Sequence, residues 1–310
     1  MRILKAFESL NIQKSSAVTI GVFDGVHLGH RHLMSRLKEV ADRQNLISIV
    51  LTFSNHPSSV LRSGFEPQYL TGIEKRIKLI EETNVDHVLQ STFDIELSKL
   101  PARAFVQLLK ESLKMEVLVA GPDFAMGQGR KGNIAYLENL GHEIGFSLNI
   151  VEPLVSSTGE IVRSTSVRDS VSSGDVERSK VLLGRPYSIS GTVIKGDGRG
   201  AHLGFPTANL AMTQENLLPL DGIYATWAEF DGRLYKAATS IGNRPTFENT
   251  SRSIETFLID FDGDLYNSEL NLQFVQRLRD EVKYTNIGDL KNQIRLDVIE
   301  TQRILDRTLY

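Results

Sequence analysis

The chain has 310 residues, with 35 Lys and Arg against 38 Asp and Glu, a formal net charge of −3, and no cysteine. That length predicts about two domains, each able to bury a core. The missing thiols exclude disulfides, thiolate metal sites, iron–sulfur clusters and cysteine nucleophiles, and the near-neutral balance argues against coating a polyanion.

The N-terminal residues mix both charge signs and hold no long apolar run, so no signal peptide is expected. No stretch approaches the ~18 apolar residues of a membrane span. The expected setting is the cytoplasm, without nucleic-acid or membrane partners, as a monomer or weak homo-oligomer.

In chain order, short apolar runs predict buried strands over 17–22 and 46–52, with shorter ones at 85–89, 116–120 and 146–151. Helical spacing fills the gaps. The segment 31–43 presents Leu33, Leu37, Val40 and Ala41 on one side, and Ile73, Ile77 and Ile80 repeat at helical intervals. Thr71 with Glu74 has the form of a capping box, and Pro101 suits the first turn of a helix running to 113. Strand–helix alternation predicts an α/β domain with a parallel sheet covered on both faces, and ligands beyond the carboxyl ends of its strands.

The rhythm changes after Gly184. Segments 187–194, 223–230, 234–241, 254–261 and 270–275 are short and rich in β-branched or aromatic residues. Asp-Gly pairs punctuate them at 221–222, 231–232 and 262–263, the second a hairpin signal. Strands without intervening helices predict a small antiparallel β-barrel, closed by a helix over 287–309. The expected domains are 1–184 and 185–310. They carry 21 basic against 21 acidic residues and 14 against 17, so neither is a basic nucleic-acid binder.

The turn from Gly21 to His30 joins the first strand to the first long helix, and includes Phe23, Asp24, His27 and Gly29. Glycines let backbone approach a phosphate, the helix N-terminus offers free N–H groups, and His27 and His30 add donors. Two plainer readings compete. His27, His30, His32 and His56 could bind zinc, but no cysteine joins them and the glycines go unexplained. Alternatively, the histidines merely flank a structural turn.

His-x-Gly-His after a first strand resembles the nucleotidyltransferase superfamily, whose second element is a Ser-Ser-Thr-x-Ile-Arg segment. Arg163-Ser164-Thr165-Ser166-Val167-Arg168 fills that place, with Arg163 where the pattern has Ser. The resemblance implies that Ser164 and Thr165 bind nucleotide phosphate and that Arg168 neutralises leaving pyrophosphate. More of this half resembles the prokaryotic flavin-adenine-dinucleotide synthetases: Thr52-Phe53-Ser-Asn-His56-Pro57, Leu70-Thr71 with Glu74-Lys75-Arg76, and Gly121-Pro-Asp123-Phe124-Ala-Met126-Gly127. The resemblance places His56, Asp123 and Phe124 near the flavin or ATP, with flavin contact the expected role. On structural grounds alone, Phe53 and Phe124 would only pack, and 74–76 would be a solvated helix face.

In the second half, the loop holding Gly196 and Arg199 leads into Gly204-Phe-Pro206-Thr207-Ala-Asn209, which resembles the riboflavin kinase motif. Thr207 and Asn209 offer hard oxygens suited to Mg²⁺. Ala201 stands where that pattern commonly has Arg. Gly242-Asn-Arg-Pro-Thr-Phe247 and the segment 254–266 continue the likeness, and by it Glu255 is the general base. Alternation alone would make Glu255 an exposed strand residue, and Asp260, Asp262 and Asp264 read as turn residues. Arg279-Asp-Glu281-Val-Lys283-Tyr284 resembles the flavin-side segment of the kinase.

The resemblance covers nearly the whole chain. It implies a Rossmann-like nucleotidyltransferase domain followed by a riboflavin kinase-like barrel. Together they would make FMN from riboflavin, then FAD from FMN, with ATP and Mg²⁺ at both steps. Two alternatives stay open: an adenylyltransferase with a non-catalytic barrel, and a non-catalytic flavin-binding regulator. The intact Thr207, Asn209, Glu255 and histidines speak against both.

Overall fold

A strand buried on both faces needs apolar residues at successive positions, and three such strands form the centre of the five-stranded sheet that organises the first part of the protein, seen here in a computed structural model. The structure describes residues 2–8, 12–196, 198–212, 216–243 and 252–308. It divides into two compact units, Met1–Arg163 and Ser164–Tyr310. The first contains α1 (Arg2–Glu8), β1 (Ser16–Gly21), α2 (Leu28–Arg43), β2 (Ile47–Phe53), α3 (Pro57–Leu61), α4 (Ile73–Glu81) and β3 (His87–Ser91). There follow α5 (Ile95–Ser98), α6 (Ala102–Leu113), β4 (Met115–Ala120), a ribbon of β5 (Ala125–Met126) and β6 (Gly132–Asn133), α7 (Ile134–Ile144) and β7 (Ser147–Ile150).

The sheet order is β3-β2-β1-β4-β7, and every neighbouring pair is parallel. Side chains alternate across it. Val18, Ile20, Ile49, Leu51 and Leu118 face one core, with Phe7 of α1, Phe105 and Leu109 of α6 and Leu137 of α7. Ala17, Val50, Val117 and Val119 face the other, with Met34, Leu37 and Val40 of α2 and Ile80 of α4. The chain runs outward from β1 to β3, then crosses back to β4, so the topological switch lies between β1 and β4. The crevice beyond their carboxyl ends is where such sheets bind ligands.

All five expected strands are present, within two residues at either end. Two local expectations are corrected. Thr71 and Glu74 do not form a capping box: Gly72 is the N-cap of α4 without a side-chain cap bond, because the Thr71 hydroxyl instead accepts from the Gly25 N–H at 2.7 Å. Nor is the 74–76 segment a solvated face, since Arg76 is 1% exposed.

The second unit contains α8 (Ser164–Ser172), α9 (Val176–Leu183), β8 (Tyr187–Ile194), α10 (Arg199–Leu203), β9 (Ala208–Met212), β10 (Gly222–Phe230), β11 (Arg233–Asn243), β12 (Arg252–Leu258), β13 (Glu269–Arg279) and α11 (Ile287–Asp306). Its strands close an antiparallel barrel in the order β10-β11-β12-β9-β8-β13, which leaves no unpaired edge. Asp231 and Gly232, both with positive φ, form the expected two-residue turn between Phe230 and Arg233. Strand β9 was not expected, because Ala-Asn-Leu-Ala-Met holds no β-branched residue. It forms because β8 and β12 pair with it from both sides. Strand β12 stops at Leu258, short of 261, where Asp260 turns the chain at φ +59°. The helices α8 and α9 belong to this unit: α9 packs on β8 and β13, and α8 packs on α9. Helix α11 lies on β10, β11 and β13, where Ile304 and Leu305 meet Ala225, Trp227 and Val275.

Inside the barrel wall, three fully buried threonines share hydroxyl bonds across strands. Thr226 Oγ1 lies 2.7 Å from Thr239 Oγ1, which lies 2.9 Å from Thr256 Oγ1, and Thr226 also donates to the Ala237 carbonyl at 3.1 Å. Buried hydroxyls are stabilising only while bonded. The isosteric change Thr226→Val is expected to cost about 1–2 kcal/mol, measured as an earlier denaturant midpoint for the barrel transition, with the α/β transition unmoved.

Candidate active sites

At the carboxyl end of β1, the backbone leaves the sheet through an unusual turn. Phe23, Gly25 and Val26 all have positive φ, of 52°, 81° and 39°. For Phe and the β-branched Val this is a disfavoured region, occupied where surrounding contacts over-determine it. Those contacts are on hand. A side chain at Gly21 would strike the Phe23 ring, 2.8 Å from an ideal Cβ, so glycine there lets Phe23 fold back on β1. Both carboxylate oxygens of Asp24 accept from the Leu70 N–H at 3.0 Å, and one also accepts from Thr71 N–H at 3.1 Å. Asp24 is therefore a clamp on the loop before α4.

His27 follows as the N-cap of α2 and is 4% exposed. Its Nδ1 accepts from the His30 N–H at 3.2 Å. An accepting Nδ1 leaves a neutral ring's proton on Nε2. The rings of His27 and His30 stack with centroids 3.6 Å apart, and Phe23 meets His30 edge-on at 5.3 Å. Gly29 is required where it stands, because a Cβ would lie 2.8 Å from the Val162 carbonyl oxygen. The turn thus gathers Gly21, Phe23, Asp24, His27, Gly29 and His30 at a helix N-terminus, where free N–H groups and the dipole favour anions. His56 repeats the device beyond β2: it caps α3, its Nδ1 accepting from Ser58 N–H at 3.1 Å.

The loop after β4 presents Asp123, whose carboxylate is largely exposed and 3.6 Å from the Arg163 guanidinium, while Arg130 donates to its carbonyl at 3.1 Å. Phe124 is partly buried against the sheet core, so it packs. Ser164, Thr165 and Arg168 open helix α8, in the second unit.

In the barrel, a cavity of about 280 Å³ brings together Thr207, Glu255, Arg279, Glu281 and Tyr284, with Leu290, Ile294 and Val298 of α11 along its wall. Glu255 on β12 sits opposite Asn209 on β9. The Thr207 hydroxyl, two residues earlier, donates to Glu255 Oε2 at 3.4 Å. The glycine-rich loop explains itself here: an ideal Cβ at Gly196 would lie 2.0 Å from Asn209 Nδ2, and one at Gly200 would lie 2.4 Å from the Phe205 oxygen and 3.1 Å from Thr207 Oγ1. Backbone is pressed directly onto the two polar residues. Gly204 ends α10 in the left-handed region, with φ 86°. Arg199 begins α10, and its side chain lies outside the described part, as do 244–247 of the Gly242–Phe247 segment.

A second cavity, of about 330 Å³, is lined by Pro206, Thr207, Phe261, Asp262 and Tyr266 among others. Thr207 stands in the wall of both. The sequence reading took Asp262 for a turn residue and missed this wall, although Asp262-Gly263 flanked by aromatics was the available signal. It also missed Asp297, which accepts from Arg279 through two bonds, at 2.9 and 2.6 Å. The signal there was a carboxylate amid the apolar stripe Leu290, Ile294 and Val298. This pairing raises the already high pKa of Arg279 and fixes its charge.

Comparisons with known proteins agree with this division. A family model for FAD synthetase matches residues 9–166, and one for riboflavin kinase matches 183–305. The bifunctional riboflavin kinase/FMN adenylyltransferase of Bacillus subtilis (strain 168) is 36% identical over 94% of this chain and 93% of its own length. The chain belongs to this bifunctional family. Its members in Haemophilus influenzae and Escherichia coli K12 are 33% and 31% identical, covering 96% and 99% of this chain and 97% and 99% of their own. A crystal structure from Streptococcus pneumoniae, named a macrolide-efflux protein, shares the fold with TM-score 0.88 at 27% identity over 96% of each chain. As a family member, this protein phosphorylates riboflavin to FMN in the barrel and adenylylates FMN to FAD in the α/β unit, with ATP as the donor in both. Among the described residues, no helix is long and apolar enough to cross a membrane.

The cavity walled by α11 includes Glu281, whose titration is displaced. Loss of hydration, with the nearby charges of Asp221 and Glu255, raises Glu281 above the ordinary carboxylate range, while Lys283 and Arg279 oppose this. A raised carboxyl penalises the fold once ionised. The penalty is absent below the unfolded pKa of about 4.3 and grows as pH rises toward the folded value. Glu281→Gln is therefore expected to be more stable than the parent at pH 7–8, with the gap closing toward pH 4, in thermal melts of the barrel transition.

Proposed function

We propose that Thr207, Asn209 and Glu255 carry the kinase step and that His27 and His30 carry the adenylyl step. The observation that carries the first is the register of β9 against β12, which sets Asn209 opposite Glu255, with the Thr207 hydroxyl on the carboxylate.

In the kinase, Glu255 takes the proton of the ribityl 5′-hydroxyl as that oxygen attacks the γ-phosphorus of ATP, and ADP leaves. Riboflavin occupies the cavity holding Arg279, Glu281 and Tyr284, and ATP the cavity holding Pro206 and Tyr266, so that transfer occurs at Thr207, which borders both. Gly196, Arg199 and Gly204 carry the loop over the nucleotide phosphates. The donor set fits a hard cation: a hydroxyl, an amide and a carboxylate, held close by two glycines that a Cβ would displace. Mg²⁺ held by Thr207 and Asn209 would neutralise the transferring phosphate charge.

In the α/β unit, an FMN phosphate oxygen attacks the α-phosphorus of ATP, and pyrophosphate leaves. His27, His30 and the N-terminus of α2 stabilise the charge that builds there, with Gly21, Phe23 and Gly29 shaping the turn and Asp24 holding it. His56, Asp123 and Phe124 lie on the flavin side. Mg²⁺ accompanies the triphosphate here. The functional boundary falls at 184/185, the enzyme is a monomer or weak oligomer, and its setting is the cytoplasm, consistent with ATP use and the absence of cysteine.

With riboflavin, ATP and Mg²⁺, the protein is expected to form FMN and then FAD on chromatography. Glu255→Ala should lower FMN formation by roughly 10²-fold or more and spare the conversion of supplied FMN to FAD. His30→Ala should do the reverse. Loss of both activities in either folded variant would contradict the two-site assignment.

A further inference from the structure

The turn that carries His27 and His30 is held open by something the chemistry above does not use. Arg76, in α4, is 1% exposed. Its guanidinium donates to the carbonyls of Val22 at 3.1 Å, Phe53 at 2.9 Å and Thr71 at 3.2 Å. Val22 directly follows β1, Phe53 ends β2, and Thr71 precedes α4. The guanidinium also lies 4.0 Å from the Asp24 carboxylate and 5.3 Å from the centroid of the Tyr69 ring, whose hydroxyl accepts the His56 N–H at 2.9 Å.

Residues 22, 24 and 25 of the turn are thereby each tied to the segment 70–76: Val22 by Arg76, Asp24 by the Leu70 and Thr71 amides, Gly25 by the Thr71 hydroxyl. Phe23 and Val26, in their disfavoured conformations, lie between and beside these ties. Tyr69 extends the same assembly to the backbone of His56. A planar fork with five donors is needed to reach three carbonyls on three chain segments, and an ammonium has neither the spread nor the fixed geometry.

We infer that Arg76 is a positioning residue for adenylyl transfer: it sets the His27–His30 turn and the His56 turn in one frame without touching substrate. The inference rests on the assignment of the adenylyl step to His27 and His30. Its consequence is kinetic. Groups remote from the turn still bind the substrates when Arg76 is replaced, but the donors at the α-phosphorus drift, and a shift of about 1 Å is worth about 10²-fold in rate. Such a loss falls on kcat rather than KM.

The test uses the full chain with Arg76→Lys, and Thr71→Val as a second, milder cut in the same network. Adenylyl transfer from ATP to supplied FMN is measured at steady state, and riboflavin phosphorylation in the same samples reports an intact barrel. Arg76→Lys is expected to lower kcat for FAD formation about 10- to 100-fold, with both KM values within threefold and phosphorylation within twofold of the parent. Thr71→Val should move kcat in the same direction by less. The deciding measurement is the cycle with His30→Ala. If Arg76 acts through the histidine turn, Arg76→Lys should cost far less in the His30→Ala background than in the parent. Equal costs in both backgrounds, a raised KM at unchanged kcat, or unimpaired FAD formation in Arg76→Lys would each overturn the inference. His30→Ala alone separates the two levels. If it leaves FAD formation intact, the site assignment fails. If it removes FAD formation while Arg76→Lys does not, only the role of Arg76 fails.

Discussion

A parallel sheet ends in carbonyl groups that no further strand receives, and here those ends must also form a binding crevice. Satisfying them with water would leave the turns beyond them free to move. In the α/β unit a buried guanidinium serves two of these ends instead, donating to the carbonyls of Val22 and Phe53 at the ends of β1 and β2, and also to that of Thr71 before α4. Burying a cation is costly unless its hydrogen bonds are met and a counter-charge is near. Arg76 has three such bonds from its two terminal nitrogens, and Asp24 lies at 4.0 Å. That one solution has a large reach: Asp24 is held by amides before α4, the turn takes its positive-φ residues, and the two histidines arrive at the head of α2 stacked on each other.

The barrel solves the same problem of fixing polar groups by register. A closed antiparallel barrel has no edge along which a strand can slip, and a one-residue slip would turn Asn209 and Glu255 to opposite faces. The shared hydroxyls of Thr226, Thr239 and Thr256 tie β10, β11 and β12 from within. Glycine then matters for approach rather than for flexibility. At Gly196 and Gly200 the backbone lies where a Cβ would collide with Asn209 and with the Phe205 carbonyl.

Much of this was legible in the sequence, for identifiable reasons. The three central parallel strands are buried on both faces, and the Asp231-Gly232 turn demands two positive φ angles, so both could be read locally. The His-x-Gly-His turn announces its place between strand and helix. What could not be read is whatever depends on partners distant in sequence. Strand β9 has little strand preference of its own and exists because β8 and β12 flank it. Thr71 and Glu74 match a capping box, yet Thr71 is taken by Gly25, 46 positions away. Arg76 stands in a charged Glu-Lys-Arg run that resembles any solvated helix face, and nothing local says that the last of the three is buried. Asp24 stands in the turn expected to bind nucleotide, yet its oxygens accept from backbone amides.

The contrast between the two proposed sites follows from their nucleophiles. A ribityl hydroxyl is almost fully protonated near neutral pH, so the kinase needs a carboxylate within reach, and Glu255 is half-buried beside the Thr207 hydroxyl. The phosphate of FMN has its second pKa near 6 and arrives already ionised, so adenylyl transfer needs no base and gains nothing from a carboxylate. It needs donors that do not add negative charge to a crowded set of phosphates. Imidazoles and a helix N-terminus supply this, and the carboxylate nearest in sequence, Asp24, is turned to the Leu70 and Thr71 amides. In a chain of net charge −3, the two proposed sites meet triphosphate charge locally, by donors held in place, and the role inferred for the buried Arg76 is to secure their backbone rather than the ligand.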